Sequence, residues 1–446
     1  MKKQLFFLSA VFILFASACK KDVLDEIKPV SPTIQLSFAT ELSAIGFPFL
    51  NTEITLTNKV NGVILKAKAD ANGVVNFSNI SPGNYSIVAS QIISATDYTS
   101  ISGIYSADAM SFNGSLETNI TTDNAALSIV LKSGRLGNWV IKQVYHGGSS
   151  TSNGAIFRDQ FLEIYNNSNE VLYADSLYFA QIFGKNTRVA SVDVTKPAFL
   201  PNGQYNWSNS IGMTNQSTAN TNYVYLKTLY MIPGTGKQYP VQPGGSIIIA
   251  QNAQNHKTPY TGADGASVSV KDPSLTIDLS KAEFETYLGN VPGINPLASD
   301  VDNPSITNVK VLTSGGNRDM ILNNNGYEAI VLFKTPLDPL KWPSFPDPEA
   351  TSVTSATTLF TQLPVSVIID GVDIAHTTAA SRAAKRLPDA VDAGFSFTAG
   401  GAYSSQSIIR KTSKTVSGRR ILKDMNNSTE DFDYLLLADP TKTVFK

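Results

Sequence analysis

A run of five residues at 161–165, Phe-Leu-Glu-Ile-Tyr, limits the folds that this chain can adopt. Alternate residues of a β-strand point to opposite faces, so Phe161 and Tyr165 share one face while Leu162 and Ile164 share the other. Both faces are therefore largely apolar, and both have to be covered. A polar Asn-Asn-Ser sequence follows and favours a turn. The run predicts a strand buried inside a β-sandwich.

Short alternating runs separated by glycine, proline and asparagine turns continue along the chain, which is typical of a mainly β protein. Few helices are expected. One candidate spans residues 280–288, where Ser280 is a suitable N-cap and Gly289 a suitable end. A second spans residues 377–387 and is ended by Pro388. Its basic side predicts a solvated face, with contact to an acidic partner as the alternative.

The N-terminus has the pattern of an export signal. Lys2 and Lys3 precede an apolar run at residues 5–15, and small residues follow it. The apolar run is too short to span a bilayer. We therefore expect residues 1–18 to be a signal peptide.

Cys19 is the only cysteine of the chain and stands directly after Ala-Ser-Ala. This arrangement resembles a bacterial lipobox, although Ala16 stands where leucine is usual. The resemblance implies that Cys19 is lipidated and anchors the protein to the membrane, with residues 19–32 as a tether. The charged residues 20–22 resemble the export signal of Bacteroidota lipoproteins, which implies the outer membrane and a position facing the cell exterior. A plain secretory signal with an incidental cysteine is the alternative.

The composition argues against a nucleic-acid partner and excludes a disulfide within the chain. Lysine and arginine number 35, aspartate and glutamate 36, and the formal net charge is −1. Because no basic stripe appears, a nucleic-acid partner is not expected. No disulfide can form within a chain that has one cysteine. The 446 residues suffice for two or three domains, stabilised by apolar burial and sheet pairing.

Residues 33–132 are expected to form the first domain. Within it, residues 70–85 read Asp-Ala-Asn-Gly-Val-Val-Asn-Phe-Ser-Asn-Ile-Ser-Pro-Gly-Asn-Tyr. This order of glycine turn, alternating strand, proline-glycine turn and tyrosine strand resembles carboxypeptidase-regulatory and Cna-B domains. The resemblance implies a prealbumin-like β-sandwich that serves as a spacer or docking module.

Residues 138–446 are expected to form a larger second domain. Five segments follow the order of the strands of a lamin-tail domain: 139–145, 161–167, 241–250, 407–411 and 423–432. The resemblance implies an immunoglobulin-like β-sandwich. The stretches at about 272–313 and 336–358 have no counterpart in a minimal lamin-tail domain, so we expect them to be insertions.

A lipobox, a prealbumin-like domain and an enlarged lamin-tail-like domain in this order resemble an uncharacterised family of Bacteroidota surface lipoproteins. Members are often encoded near TonB-dependent receptors. The resemblance implies an architecture and a genetic neighbourhood, but no activity. We expect a non-enzymatic binding or accessory subunit that partners a TonB-dependent transporter. A structural or adhesive surface protein is the first alternative, and an enzyme with an unrecognised site is the second.

Enzyme motifs are missing from the sequence. It contains neither the Gly-x-Ser-x-Gly elbow of hydrolases nor the His-Glu-x-x-His helix of zinc proteases. The three histidines, His146, His256 and His376, are scattered, and we expect surface or turn positions for them. We therefore expect no catalytic residues, no cofactor and no zinc site.

Two polar features are weak site candidates. Glu163 lies in the apolar run and is expected to be buried and paired, with Arg158 or a backbone turn as its partner. Four oxygen-bearing residues have the spacing of a calcium loop but lack its central glycine and its bidentate glutamate. Capping of a turn is the favoured alternative for these four residues: Asp424, Asn426, Ser428 and Asp431.

An aromatic-rich region is the candidate ligand site. Exposed rings would suit a glycan or peptide ligand, which binds by stacking. Tyrosines are also ordinary strand residues, so a core position is the favoured alternative. The candidates are Trp207, Tyr223, Tyr225, Tyr230, Tyr239 and Tyr260.

Lipidation at Cys19 is directly testable. The wild-type protein should incorporate labelled fatty acid in cells, whereas Cys19→Ala should not, because the thioether needs the thiol. Intact mass and detergent partitioning check this result. Ser17→Ala keeps a small residue beside the cleavage site and is the control that should retain the lipid. Equal labelling of Cys19→Ala and wild type would contradict the lipobox interpretation.

Overall fold

The structure is a computed structural model that describes residues 28–43, 46–102, 109–122, 126–135, 139–168, 171–416 and 418–446. The predicted signal peptide, Cys19 and most of the tether lie outside the described residues. The described residues form 28 strands and three short α-helices. The helices are α1 (Thr40–Ser43), α2 (Ala95–Ser102) and α3 (Ser428–Asp431). The predicted mainly β fold with few short helices is confirmed.

The first seven strands form an N-terminal sandwich. They are β1 (Thr33–Phe38), β2 (Glu53–Asn58), β3 (Ile64–Lys68), β4 (Val74–Asn76), β5 (Gly83–Ile93), β6 (Met110–Ile120) and β7 (Ala126–Arg135). Their hydrogen-bonded order is β3-β2-β5-β6-β7-β1-β4. The first part of β7 pairs in parallel with β1 and its last part pairs with β6, so the sheet folds over at β7. Apolar residues from both layers, such as Ile34 and Ile87, fill the space between them.

The larger C-terminal region is built on two facing sheets. One has the order β19-β18-β15-β9-β8-β25-β28 and the other β20-β13-β11-β21-β24. The strands of the first sheet are β8 (Trp139–Tyr145), β9 (Phe161–Asn166), β15 (Ser246–Ala250), β18 (Phe284–Glu285), β19 (Thr307–Asn308), β25 (Ser407–Arg410) and β28 (Phe432–Leu435). Those of the second are β11 (Tyr178–Gln181), β13 (Leu229–Met231), β20 (Lys310–Thr313), β21 (Glu328–Phe333) and β24 (Ile368–Ile374).

Smaller strand groups flank these two sheets. The remaining strands are β10 (Leu172–Tyr173), β12 (Tyr223–Leu226), β14 (Pro240–Val241), β16 (Tyr260–Thr261), β17 (Ser267–Val268), β22 (Ser344–Pro346), β23 (Leu359–Pro364), β26 (Thr412–Val416) and β27 (Arg419–Leu422). They pair as β10-β14, β12-β23-β22, β16-β17 and β26-β27. No helix of the described residues is long and apolar enough to cross a membrane.

Strand β9 lies at the centre of the first sheet, and all six of its residues are buried. Leu162 and Ile164 face the second sheet, where Phe179 and Leu332 belong to the same apolar core. Phe161 belongs to a separate core on the opposite face, with Tyr145 and Ile248. The prediction that this run is buried on both faces inside a sandwich is therefore confirmed.

Glu163 is buried as expected, but its predicted pairing with Arg158 is wrong. The register of β8 against β9 shifts between Ile141 and Gln143, which places Lys142 in an irregularity of the strand. There Lys142 Nζ lies 2.9 Å from Glu163 Oε1, and both side chains are almost fully buried. Burial lowers the pKa of Lys142, while the Glu163 carboxylate raises it. A lysine on the neighbouring strand thus pairs with the buried carboxylate.

Both predicted helices are wrong. Residues 280–288 instead contain β18, because Phe284 is buried and pairs in parallel with Ile249. Residues 377–387 contain only a 3₁₀ turn at Ala379–Ser381. In that segment the backbone N–H groups of Arg386 and Leu387 donate to the Asp373 carboxylate at 2.6 and 3.0 Å. Tertiary contacts therefore replace the helical hydrogen bonds that local propensity favoured.

The N-terminal sandwich contacts the C-terminal region through polar side chains. Glu430 Oε1 accepts from Lys66 Nζ at 2.8 Å. The Asp389 carboxylate accepts from the backbone N–H of Ser115 at 3.1 Å and from its hydroxyl at 2.9 Å. These contacts join strands β3 and β6 to two separate segments of the C-terminal region.

Candidate functional site

The six candidate aromatic residues do not form one exposed platform. Trp207, Tyr225 and Tyr230 are almost fully buried, and the other three are half-buried. Tyr230 stacks on Phe179 in the main core with ring centroids 4.9 Å apart. The exposed-ring interpretation is therefore wrong for the three buried residues, because apolar burial outweighs the exposure that a stacking platform needs.

The candidates are divided among several places. Tyr239 meets Phe284 edge to face at 4.9 Å. The Tyr260 hydroxyl donates to the Ser299 carbonyl at 3.0 Å, in a region of buried polar groups. Only the other three candidates come together, in an aromatic cluster beside β12 and β23: Trp207, Tyr223 and Tyr225.

In this cluster the rings of Trp207 and Tyr225 are stacked, with centroids 3.5 Å apart and an angle of 9° between their planes. The Tyr225 hydroxyl donates to the Ala219 carbonyl at 3.0 Å and accepts from Gln362 Nε2 at 3.1 Å. The Trp207 backbone N–H donates to Asn220 Oδ1 at 2.9 Å. The Tyr225 hydroxyl therefore has both a donor and an acceptor, and the backbone at Trp207 is fixed beside it.

A cavity of about 30 Å³ lies beside this cluster, and its lining includes the aromatic residues Trp207, Tyr223 and Tyr225 and the cations Lys185 and Arg386. A space of this size holds one or two water-sized groups. Aromatic walls with a few polar groups are typical of ligand sites. We take this cavity as the candidate binding site.

Two of the three cations that line the cavity form ion pairs: Lys185 with Glu349 and Lys385 with Asp389. Lys185 Nζ lies 2.5 Å from Glu349 Oε2, and this hydrogen bond lowers the pKa of Glu349. Arg386 donates to Asn186 Oδ1 at 2.7 Å. Arg386 also packs against Gly184, where a Cβ atom would lie 2.6 Å from its Cγ. A larger residue at position 184 would therefore force the Arg386 side chain to move. The cavity combines hydrogen-bonding groups with two paired lysines and one arginine, Arg386, whose side-chain partner is a neutral amide.

The weak calcium candidate is wrong, because an arginine occupies the place of the cation. Arg410 Nη1 lies 3.1 Å from Asp424 Oδ1 and 3.6 Å from Asp431 Oδ2. The Asn426 amide donates to the Ala390 carbonyl, and the Ser428 hydroxyl donates to Asp392. The four residues thus point to different partners. The Asp431 carboxylate also accepts from two backbone N–H groups of its turn, as the capping alternative predicted.

Arg410 is the centre of a buried charge cluster that the sequence did not indicate. Its guanidinium donates to both oxygens of Asp370 at 2.8 and 2.6 Å and to the Ile141 carbonyl at 2.8 Å. Burial raises the pKa of Asp370 to about 7, although Arg410 lowers it, and the same two causes act on Asp431. The only signal in the sequence is an arginine that ends the apolar run Ser-Ile-Ile-Arg.

The expectation of surface or turn positions for the histidines is wrong for His146, which is buried outside a turn, whereas His256 lies in a turn but is also buried; both are 2% exposed. Their rings contact the backbone carbonyls of Asn323 and Asn252. Burial lowers the pKa of each to about 4, so both are neutral at pH 7. His376 is half-buried and stacks on Tyr327. No group of three or more histidine, cysteine, aspartate or glutamate side chains in the described part of the chain is placed to hold a metal ion.

Residues 242–437 match the model of a family described as protein of unknown function, DUF4876. The chain is similar in structure to a DUF4876 family protein from Bacteroides thetaiotaomicron, with 24% sequence identity and a TM-score of 0.51. That likeness covers 91% of this chain and 95% of the other. It shows a shared fold. Both findings agree with the predicted resemblance to an uncharacterised Bacteroidota family.

Two further likenesses to solved structures are much weaker. A candidate carbohydrate-binding protein from Pseudomonas aeruginosa has 14% identity and a TM-score of 0.17, over 24% of this chain and 90% of that one. A DUF3823 family protein from Bacteroides uniformis has 13% identity and a TM-score of 0.16, over 34% of this chain and 67% of that one. A search of curated proteins found no match to this chain.

Removal of the Arg410 charge should strongly destabilise the fold. Arg410→Met leaves Asp370 and its neighbouring carboxylates buried without a cation, which costs about 3–5 kcal/mol of the free energy of unfolding. Urea unfolding at pH 7 measures this loss. The control is Lys341→Met, at a side chain that is 83% exposed, and it should change stability by less than about 0.5 kcal/mol. A similar small change for Arg410→Met would contradict the proposed role of the cluster.

Trp207 and Tyr223 should respond differently to truncation. Trp207→Ala removes a buried stacked ring and should cost about 3–5 kcal/mol of unfolding free energy. Tyr223→Ala removes a half-buried ring and should cost about 1 kcal/mol. Thermal and urea unfolding of both variants check this difference. Equal losses would contradict the expectation that the half-buried ring contributes less to stability than the buried one.

Proposed function

We propose that this protein is a non-enzymatic surface lipoprotein that binds a hydroxyl-rich ligand, such as a glycan, at the cavity beside the aromatic cluster. The observation that carries the proposal is the meeting of aromatic rings and paired polar side chains around one small cavity. The anchor is the lipid predicted on Cys19, and the location is the outer membrane, facing the exterior.

The pairing of Lys185 and Lys385 with carboxylates favours a neutral ligand over an anion at these two side chains. Lys185 is neutralised by Glu349, and the Tyr205 hydroxyl donates to Asp347 and lies within hydrogen-bond distance of Glu349. A formally charged ligand would have to compete with these internal partners. A hydroxyl group can accept from a cation and donate to a carboxylate at the same time. Such a group fits the volume of the cavity, while the rest of the ligand lies along its rim.

We further propose that the protein is a partner of a TonB-dependent transporter. An accessory subunit would present its ligand to the barrel, and the binding face would therefore lie away from the lipid anchor. Affinity purification of the lipidated protein from native outer membranes tests this partnership. A stoichiometric barrel supports it, whereas recovery of the lipoprotein alone, still accessible to protease on whole cells, contradicts it.

A structural or adhesive role is the second candidate function. The observation that favours it is the pair of polar contacts between the N-terminal sandwich and the C-terminal region, Lys66 with Glu430 and Ser115 with Asp389. Contacts at two separate strands restrict rotation of one part against the other. A stiff two-part protein would hold a binding tip away from the membrane.

Ligand binding is tested with an array of glycans and peptides, followed by calorimetry on the best ligand. Wild-type protein should bind a neutral glycan, and Tyr223→Ala should weaken that binding roughly tenfold, which is about 1.4 kcal/mol. Tyr403→Ala is the matched control, because Tyr403 is 37% exposed and does not line the cavity. Binding that Tyr223→Ala leaves unchanged would contradict the assignment of the cavity.

A further inference from the structure

One part of the cavity lining is a continuous stretch of the C-terminal region, residues 384–388, here called the wall segment. It contributes four lining residues: Ala384, Lys385, Arg386 and Pro388. Asp389 follows the wall segment directly, and its carboxylate accepts from the Ser115 backbone N–H at 3.1 Å and from the Ser115 hydroxyl at 2.9 Å. Ser115 belongs to β6 of the N-terminal sandwich. The wall segment is therefore attached, at its end, to the other part of the protein.

The Asp389 carboxylate also holds Lys385 within the wall segment. Lys385 Nζ lies 3.3 Å from Asp389 Oδ1 and donates to the Asp392 carbonyl at 2.5 Å. The Lys385 carbonyl accepts from Gln204 Nε2 at 2.6 Å, and Gln204 lines the cavity as well. One carboxylate thus connects a serine of the N-terminal sandwich with a lysine of the cavity lining, whose backbone contacts a second lining residue.

The ion pair between Lys385 and Asp389 lies in partly buried surroundings, with the two side chains 22% and 24% exposed. Burial lowers the pKa of Lys385, but nearby carboxylates, with Asp389 first among them, raise it more, so the net shift is upward. A partly buried ion pair is screened less by salt than one on the open surface. The lysine is therefore charged at pH 7, and Asp389 helps to set the place of that charge.

The strand that carries Ser115 is firmly held. All 11 residues of β6 pair with β5, and Ser115 lies opposite Val88 in this ladder. At the preceding residue, Gly114, a Cβ atom would lie 2.5 Å from the Val130 carbonyl oxygen of β7. Strand β6 is therefore fixed against both of its neighbours close to the point where it contacts Asp389.

We propose that the N-terminal sandwich positions the wall segment for ligand binding, with Ser115 acting through Asp389. The inference rests on the proposed ligand site at the cavity. Neither Ser115 nor Asp389 lines the cavity, so both are positioning residues. A site that is held in place before its ligand arrives loses less conformational entropy on binding. The N-terminal sandwich thus contributes to the ligand site in addition to any role as a spacer.

A second contact between the two parts of the protein provides a matched control. Lys66 Nζ lies 2.8 Å from Glu430 Oε1 and 3.0 Å from Glu53 Oε1. Glu430 belongs to α3 and does not line the cavity. Lys66→Met therefore weakens the contact between the two parts without changing a partner of the wall segment or of Asp389.

The first test follows amide hydrogen exchange in the full chain without a ligand. Ser115→Asp places a second carboxylate beside Asp389, and the two negative charges should move apart. Exchange at Arg386 and Leu387, whose N–H groups donate to Asp373, should then become roughly tenfold faster. Lys66→Met should leave both amides within about twofold of wild type. Unchanged exchange in Ser115→Asp, or an equal increase in Lys66→Met, would overturn the proposal.

Two further variants keep this test decisive. Ser115→Ala removes only the hydroxyl donor and should accelerate exchange at the same two amides by a smaller factor. If Ser115→Asp does not fold, wild-type exchange in Ser115→Ala overturns the proposal. Asp389→Asn added to a folded Ser115→Asp removes the repulsion and gives the new carboxylate an amide donor, so slow exchange should return. Exchange that stays fast in this double variant would overturn the assignment of Asp389.

The second test separates this inference from the proposed function. The probe is the neutral oligosaccharide that wild-type protein binds most tightly in the glycan array. In calorimetry, Ser115→Asp, or Ser115→Ala in its place, should weaken binding of this probe at least roughly fivefold, whereas Lys66→Met should keep wild-type affinity. Wild-type affinity in the Ser115 variant would overturn the positioning role and leave the proposed function intact. The absence of binding by wild-type protein would instead contradict the proposed function, and this inference with it.

Discussion

The contact of Arg410 with Asp370 is the interaction on which the C-terminal region depends. Arg410 ends β25 in the first sheet, while Asp370 lies on β24 in the second, so one ion pair joins the two layers. The same guanidinium contacts Asp424 and the turn that precedes β28. An ion pair at this depth is costly unless every donor finds an acceptor. Its geometry therefore fixes how the sheets and the C-terminal turn meet.

The sequence predicted the strands better than their partners. The run at 161–165 was recognisable because burial on both faces leaves a continuous apolar pattern, and the mainly β fold followed from many such runs. The partner of Glu163 was not predictable, because Lys142 reaches it through an irregularity in β8 that has no local sequence signal. The two predicted helices had acceptable caps, but sheet pairing at Phe284 and the Asp373 carboxylate outweighed them.

The sequence predicted which types of residue form the candidate sites, but not where these residues lie in the fold. Alternating tyrosines are equally suited to a core and to a ligand surface, and only the packing of the chain leaves Tyr223 half-buried while it buries Tyr225. The oxygen-rich spacing at 424–431 correctly indicated carboxylates whose negative charge is compensated by a cation. The sequence could not show that the compensating cation is Arg410, because these residues meet only when the two sheets close.

Two acidic clusters in one region illustrate two ways to keep carboxylates in an apolar interior. Around Asp370 the chain supplies its own cation, and the guanidinium is buried with its acids. Around Asp300 and Asp319 no ion pair is formed with the described residues, and Arg318 donates to the Asn295 and Pro296 carbonyls instead. Burial raises the pKa of Asp300 to about 9, so this carboxyl group is neutral at pH 7. The first cluster is therefore compensated by a buried cation, whereas the second keeps a carboxyl group in the interior by holding its proton.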